Sequence, residues 1–155
     1  MENAFTGLIQ ALSSQLRTPI EIKDNCKVHV NFDAVALLIE HLADAEQVLL
    51  VAPVADVPST GLEAFYRDLL QGQYVFAETS GATLAIDKDE RFVSLQMAPS
   101  LRALTIENFP TLVENFVNMV ERWRMRCLEA SERETKQNET DYALEHTSDS
   151  TMMRI

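Results

Sequence analysis

Between residues 4 and 16 the apolar side chains Phe5, Leu8, Ile9, Leu12 and Leu16 recur every three or four positions, with Gln10, Ser13, Ser14 and Gln15 between them. That spacing lays one apolar stripe along a helix of 3.6 residues per turn, and it predicts a short amphipathic helix. Pro19 stops it. The period then drops to two. Ile20 and Ile22 alternate with Glu21 and Lys23 up to the turn-prone pair Asp24-Asn25, after which Val28, Val30 and Phe32 alternate with Lys27, His29 and Asn31. Alternation of this kind predicts half-buried strands. Residues 35–43 are apolar on both faces of a strand yet rich in helix-forming Ala and Leu, so the pattern fits either element. A strand is expected, because Asp44-Ala45-Glu46 offers a tight connection into Val48-Leu49-Leu50-Val51, a run of stronger β preference. Pro53 and Pro58 should confine the end of that run to a sheet edge or a loop exit.

The second half is more sharply punctuated. Thr60 followed by Glu63 has the spacing of a capping box, and Leu62, Phe65, Tyr66, Leu69 and Leu70 follow on one face. Gly72 stands where a left-handed helix end would place it. Leu84 and Ile86 alternate with Thr83, Ala85 and Asp87. After the polar turn Asp87-Lys88-Asp89-Glu90, Val93, Leu95 and Met97 alternate with Ser94 and Gln96, which predicts a hairpin. A last long helix should run from Thr105 or Asn108 to about Glu132, with Phe109, Leu112, Val113, Phe116, Val120, Trp123 and Cys127 on one stripe and Pro110 in the first turn. Beyond it the sequence turns polar and loses its period, so residues 133–155 are expected to form a flexible tail behind a single domain of residues 1–132. The expected order is helix, three or four strands, helix, two strands, helix.

Composition narrows the function. A net charge of −11 over 155 residues repels polyanions, and no basic footprint is present, so nucleic acid is not an expected partner. No apolar run reaches the roughly 20 residues that span a bilayer, and the first residues lack a signal peptide's basic start and cleavage site. The expected location is the cytoplasm, with no stable membrane insertion. Cys26 and Cys127, the only cysteines, should stay reduced there and pack as small apolar groups.

Reactive constellations are absent from the pattern. Cys26 and His29 have metal-like spacing, but an offset of three on a strand points the two side chains to opposite faces, so no metal site is expected. His29 reads as a solvated strand residue and His41 as a residue near a strand end. The acidic turn at residues 87–90 starts like a calcium loop, yet Phe92 stands where Gly is required and Ala98 where a bidentate Glu is required. The four glycines never cluster into a phosphate cradle, and Ser13, Ser59 and Ser94 lack a nucleophile-elbow context. Neither an enzyme nor a cofactor-binding protein is expected. The run Arg122, Arg124 and Arg126 reads as a solvated helix face, and Phe116 and Trp123 as core anchors.

The stretch from Leu69-Leu70-Gln71-Gly72 through Ala82-Thr83-Leu84-Ala85-Ile86-Asp87 to Phe92-Val93-Ser94-Leu95-Gln96-Met97 resembles the class I type III secretion chaperones, the Tir-chaperone or CesT-like family. Members similarly end the second helix in a double leucine, pass through a glycine-containing loop and enter a hairpin with a polar turn. Many carry Asn where this chain has Gly72. The resemblance spans residues 4 to 130 and implies an α+β fold, a twisted antiparallel sheet flanked by three helices in the order α-β-β-β-α-β-β-α. It also implies a non-enzymatic homodimer that holds the N-terminal segment of one or more secreted effector proteins in extended form, keeps it competent for export and presents it to the secretion ATPase.

Two sets of residues become candidates. Helix one and the strands up to Val54 carry more apolar side chains than one thin layer buries, and an edge strand can accept an added peptide strand. Phe5, Leu8, Leu12, Ile20, Ile22, Val28 and Val30 are therefore candidates for effector binding, with ordinary core packing as the alternative for each. By resemblance the dimer interface falls on Leu62, Phe65, Tyr66, Leu69, Phe76, Leu84 and Ile86, again with core packing as the alternative. The rival class is a YbjN-like cytoplasmic regulatory or adaptor protein of similar fold without a secretion client.

Overall fold

The computed structural model describes residues 2–23 and 26–149, with side chains described for 4–23, 26–133, 136, 137, 139 and 140. In chain order the elements are α1 (Glu2–Leu16), β1 (Lys27–Phe32), β2 (Val35–Leu42), β3 (Gln47–Asp56), α2 (Leu62–Gln73), β4 (Thr83–Ile86), β5 (Phe92–Met97) and α3 (Phe109–Asp149). Short 3-10 turns cover Ala43–Ala45, Tyr74–Phe76 and Leu101–Ala103. The strands form one antiparallel sheet in the order β1-β2-β3-β5-β4, so β1 and β4 are its edges. This is the α-β-β-β-α-β-β-α order that the resemblance implies, with three strands before α2 where the pattern left three or four. Among the described residues no helix is long and apolar enough to cross a membrane.

Register explains the layers. Val28 and Val30 of β1 stand beside Ile39 and Leu37 of β2, the Val28–Ile39 row continues into Leu50 of β3, and Ala52 lies two residues further along β3 on the same face. All of these are buried, and α1 and α3 cover them with Phe5, Leu8, Ile9, Leu12, Phe109, Val113, Phe116 and Val120. On the opposite face of the pleat lie Lys27, His29, Leu38, Glu40, Leu49 and Val51, with a Lys27–Glu40 ion pair of 3.2 Å joining β1 and β2. The ambiguous stretch at residues 35–43 is a strand because both of its edges find partners. Pairing on two sides outweighs the helix preference of Ala36, Leu37 and Leu38.

Five local expectations are corrected. Pro53 lies inside β3, a central strand, rather than at an edge or a loop exit. The β2 ladder stops at Val51, the β5 register shifts between Pro53 and Ala55, and the missing N–H of proline falls in that bulge. The Arg124 guanidinium closes the gap by donating to the carbonyls of Ala34 at 2.7 Å, Val54 at 3.3 Å and Pro53 at 3.4 Å. The capping box does not form. Gly61 takes the cap position at φ 66, no side chain caps it, and Glu63 pairs with Arg67 one turn on.

Gly72 does not end its helix either. It is buried within α2, and a Cβ there would lie 2.2 Å from Cη2 of Trp123, so glycine marks a close approach between α2 and α3. Ile20 and Ile22 belong to no strand, and only Lys23 makes an isolated bridge, to Lys27. The predicted turn at Asp24-Asn25 lies outside the described residues. At the start of α3, Thr105 N–H donates to Asn108 Oδ1 at 2.8 Å and Asn108 N–H to Thr105 Oγ1 at 3.2 Å, so both candidate caps act together. The α3 backbone stays helical to Asp149, well past the expected end at about Glu132.

Candidate partner-binding surfaces

The first candidate set separates into two groups. Phe5, Leu8, Leu12, Val28 and Val30 are buried, and Phe5 stacks on the His41 ring with centroids 5.4 Å apart. Their apolar surface already faces the body of the chain. Ile20 and Ile22 are half-buried against the same core, on the segment that leads into β1. Among the described residues no strand lies beside the outer edge of β1, and beyond Lys27, which bridges to Lys23, it leaves backbone N–H and C=O groups for an added strand.

The second set behaves differently. Phe65 and Leu69 are buried, Tyr66 and Leu84 are half-buried, and Leu62, Phe76 and Ile86 are exposed. Three large neighbours that the pattern did not single out for this surface join the exposed group: Leu70 at 73%, Tyr74 at 74% and Val75 at 69%. Singly exposed apolar residues are ordinary, whereas these form a run on one helix end and the turn after it. Val75 and Phe76 also sit at φ 50 and 56, a left-handed conformation that a β-branched residue rarely adopts.

The turn is held from behind by a dense set of contacts. Gln73 donates from Nε2 to the Ala82 carbonyl at 3.1 Å and accepts the Leu84 N–H at 2.7 Å, which ties the end of α2 to β4. Trp123 Nε1 donates to the Glu78 carbonyl at 3.0 Å. Arg126 grips Asp68 with two hydrogen bonds, of 2.8 and 2.5 Å, pairs with Glu78, and stacks 4.6 Å above the Trp123 ring. The Asp68 bond raises the basicity of this guanidinium against the opposing effect of burial, with Glu78 adding to it. The arginine run read as a solvated face is therefore only partly so: Arg124 and Arg126 brace the fold, and Arg122 alone of the three is free of carbonyls and carboxylates among the described residues.

Among the described residues the shifted titratable groups form no reactive centre. Burial, with the nearby Asp68 charge, pushes the Cys127 thiol up to about 11, so it is a packed thiol rather than a nucleophile. Asp87 is pulled two ways. Burial raises its pKa, but N–H groups of Phe92 and Arg91 and the Arg91 guanidinium overcome this and hold the carboxyl below its usual value. It closes the β4–β5 turn by accepting the Phe92 N–H at 2.8 Å and the Arg91 N–H at 2.5 Å. Among the described residues no group of three metal-ligating side chains comes together.

A family model, Tir chaperone protein (CesT) family, matches residues 7–124. The chain belongs to the Tir chaperone protein (CesT) family, and is a type III secretion chaperone rather than an enzyme. Solved structures agree on the fold. The chain is similar to one in the ExsC–ExsE complex, with a TM-score of 0.70 at 20% identity, covering 81% of this chain and 94% of that one. It is also similar to one in the HopA1–SchA chaperone–effector complex, with a TM-score of 0.64 at 14% identity, covering 80% and 95%. YbjN of E. coli, whose suggested role is transcription regulation, shares the fold at a TM-score of 0.54 and 20% identity, covering 81% and 90%. A sequence comparison with curated proteins finds no match.

Proposed function

We propose that this chaperone is a cytoplasmic homodimer that binds the N-terminal segment of one or more effectors in extended form, keeps it competent for export and hands it to the secretion ATPase. The observation that carries the dimer is the exposed set Leu70, Tyr74, Val75 and Phe76, joined by Leu62 and Ile86 and braced by the Arg126–Asp68–Trp123 contacts. Phe65 and Leu69 hold α2 to the body beneath it. The client is received at the β1 edge, where backbone groups pair with an added strand and Ile20 and Ile22 offer apolar contact. Phe5, Leu8, Leu12, Val28 and Val30 set the position of that edge from inside. The chaperone body is residues 1–132, and the family match ends within it, at residue 124.

The solved likeness in a chaperone–effector complex supports the client. The likeness to YbjN favours a second reading, a regulator of the same fold without one. Affinity purification of the tagged chain from its native host, followed by mass spectrometry and co-expression with the N-terminal segment of the protein found, separates the two. A stoichiometric secreted protein bound through that segment is expected, and its absence overturns the client. For the dimer, light scattering at micromolar concentration should give twice the chain mass, and Leu70→Asp with Tyr74→Asp should give a folded monomer. A monomeric parent overturns the interface.

A further inference from the structure

A groove of about 820 Å3 opens between the turn at residues 79–82, the end of β5 and the first half of α3. Its floor is apolar, built by Met97, Leu112, Phe116 and Met119, and its α3 wall is polar. Thr111, Asn115, Asn118 and Arg122 follow one another at steps of four, three and four residues, so they form a single row along the helix. Asn108 continues the row but is occupied by the Thr105 N–H and the Ala103 carbonyl. Thr111, Asn115 and Asn118 have no intramolecular hydrogen bond among the described residues, and Arg122 contacts only the sulfur of Met119.

Two features set this groove apart. Thr79 lines it and is only 1% exposed, yet its Oγ1 is buried without a hydrogen-bond partner among the described residues. Such a hydroxyl is costly unless something completes it. Secondly, the chain carries 24 acidic residues, but none lines this groove, and its one formal charge is the guanidinium of Arg122. Carboxamides offer a donor and an acceptor each, the same pair a peptide unit offers. From Thr111 to Arg122 the helix rises about 16 Å, the length of about five residues of extended chain.

We infer that this groove binds an extended peptide segment carrying an acidic residue, the acid pairing with Arg122 and the peptide backbone with Asn115 and Asn118. The inference rests on the chaperone reading in taking a polypeptide as the ligand. It adds a second contact, distant from the β1 edge, where an acidic stretch of client is accepted by a protein that repels acid elsewhere. Apolar side chains on alternate positions reach the floor, and a backbone group satisfies Thr79.

The test is selection of short random peptides displayed on phage against the full chain, with the best peptides synthesised and titrated by fluorescence polarisation. Enriched peptides should carry Asp or Glu beside apolar residues. Arg122→Glu, and Asn115→Asp with Asn118→Asp, should each weaken binding by about tenfold or more, as expected for lost charge-assisted hydrogen bonds. Thr79→Val, nearly isosteric, should weaken it about threefold to tenfold while the fold is kept. Trp123 fluorescence reports folding in every variant. Enrichment of no peptide overturns the groove, and so does equal binding to parent and groove variants, which places the peptide on another surface. Client capture in the native host reads the β1 edge separately, so a client that binds while these variants change nothing removes the groove alone.

Discussion

Replacing Gly72 by Ala would ordinarily help, since alanine in a helix interior is favoured over glycine by about 1 kcal/mol. Here the new methyl would sit 2.2 Å from Cη2 and 2.4 Å from Cζ2 of Trp123, well inside the normal carbon contact of about 3.5 Å. The ring must retreat by more than an ångström. It cannot do so freely, because its Nε1 is bonded to the Glu78 carbonyl and the Arg126 guanidinium lies 4.6 Å from its centre. Overpacking of this kind costs about 1–3 kcal/mol, and losing the buried hydrogen bond adds about 1 kcal/mol. After the helix gain is set against these, Gly72→Ala should destabilise the chain by about 2 kcal/mol. Urea unfolding followed by the fluorescence of the only tryptophan, at fixed protein concentration because a dimer's stability depends on it, measures the change. In a Trp123→Leu background, followed by far-UV circular dichroism, the same substitution should lose its cost or become favourable. An unaltered midpoint and emission spectrum in Gly72→Ala alone would refute the close-approach argument.

The left-handed Val75, with an exposed side chain, predicts that Val75→Asn raises monomer stability by about 1 kcal/mol, read by urea unfolding in the Leu70→Asp, Tyr74→Asp background. No gain would mean that the turn is not strained. Asp87 has a folded pKa below its unfolded value of about 3.9, so its contribution is complete above that pH and is lost as pH falls through the lower folded value. Asp87→Asn should therefore be less stable than the parent at pH 7, with the gap closing as pH drops below about 4; a gap that widens on acidification would contradict the sign. With its thiol pushed up to about 11 and buried, Cys127 should react with Ellman's reagent at neutral pH only after unfolding, whereas the half-buried Cys26 reacts in the native protein. Two thiols reacting at one rate would count against this packing.

Period-two and period-3.6 patterns located most elements, best where an element has one clear inner face. Val28 and Val30, Leu84 and Ile86, and Phe109 through Cys127 announce their geometry without help from neighbours. Punctuation was less dependable. Thr60 stands one residue before the cap that Gly61 takes, and Gly72 resembles a helix end although its role depends on Trp123, 51 positions later, which no local window contains. Pro53 is accommodated in a central strand where the β2 ladder has ended and a bulge begins, with Arg124 reaching across from α3 to the local carbonyls.

The candidate surfaces show where pattern stops carrying information. An apolar side chain in Phe5 or Val28 states that it wants cover, not whether the cover is its own chain or another, and here α1, α3 and the sheet cover one another. On α2 the signal was present but read too coarsely. Phe65, Leu69 and Gly72 form one line that meets the body, while Leu62, Tyr66, Leu70 and Tyr74, spaced by four, form a second line beside it. A 12-residue helix docked on one side can bury only the first. The second line stays largely outside, and the exposed Val75, Phe76 and Ile86 add to the apolar surface on this side. A helix with two adjacent apolar stripes, followed by a turn whose large residues stay outside, is thus the feature on which the proposed dimer rests, and it separates those candidates from the core better than hydrophobicity at any single position.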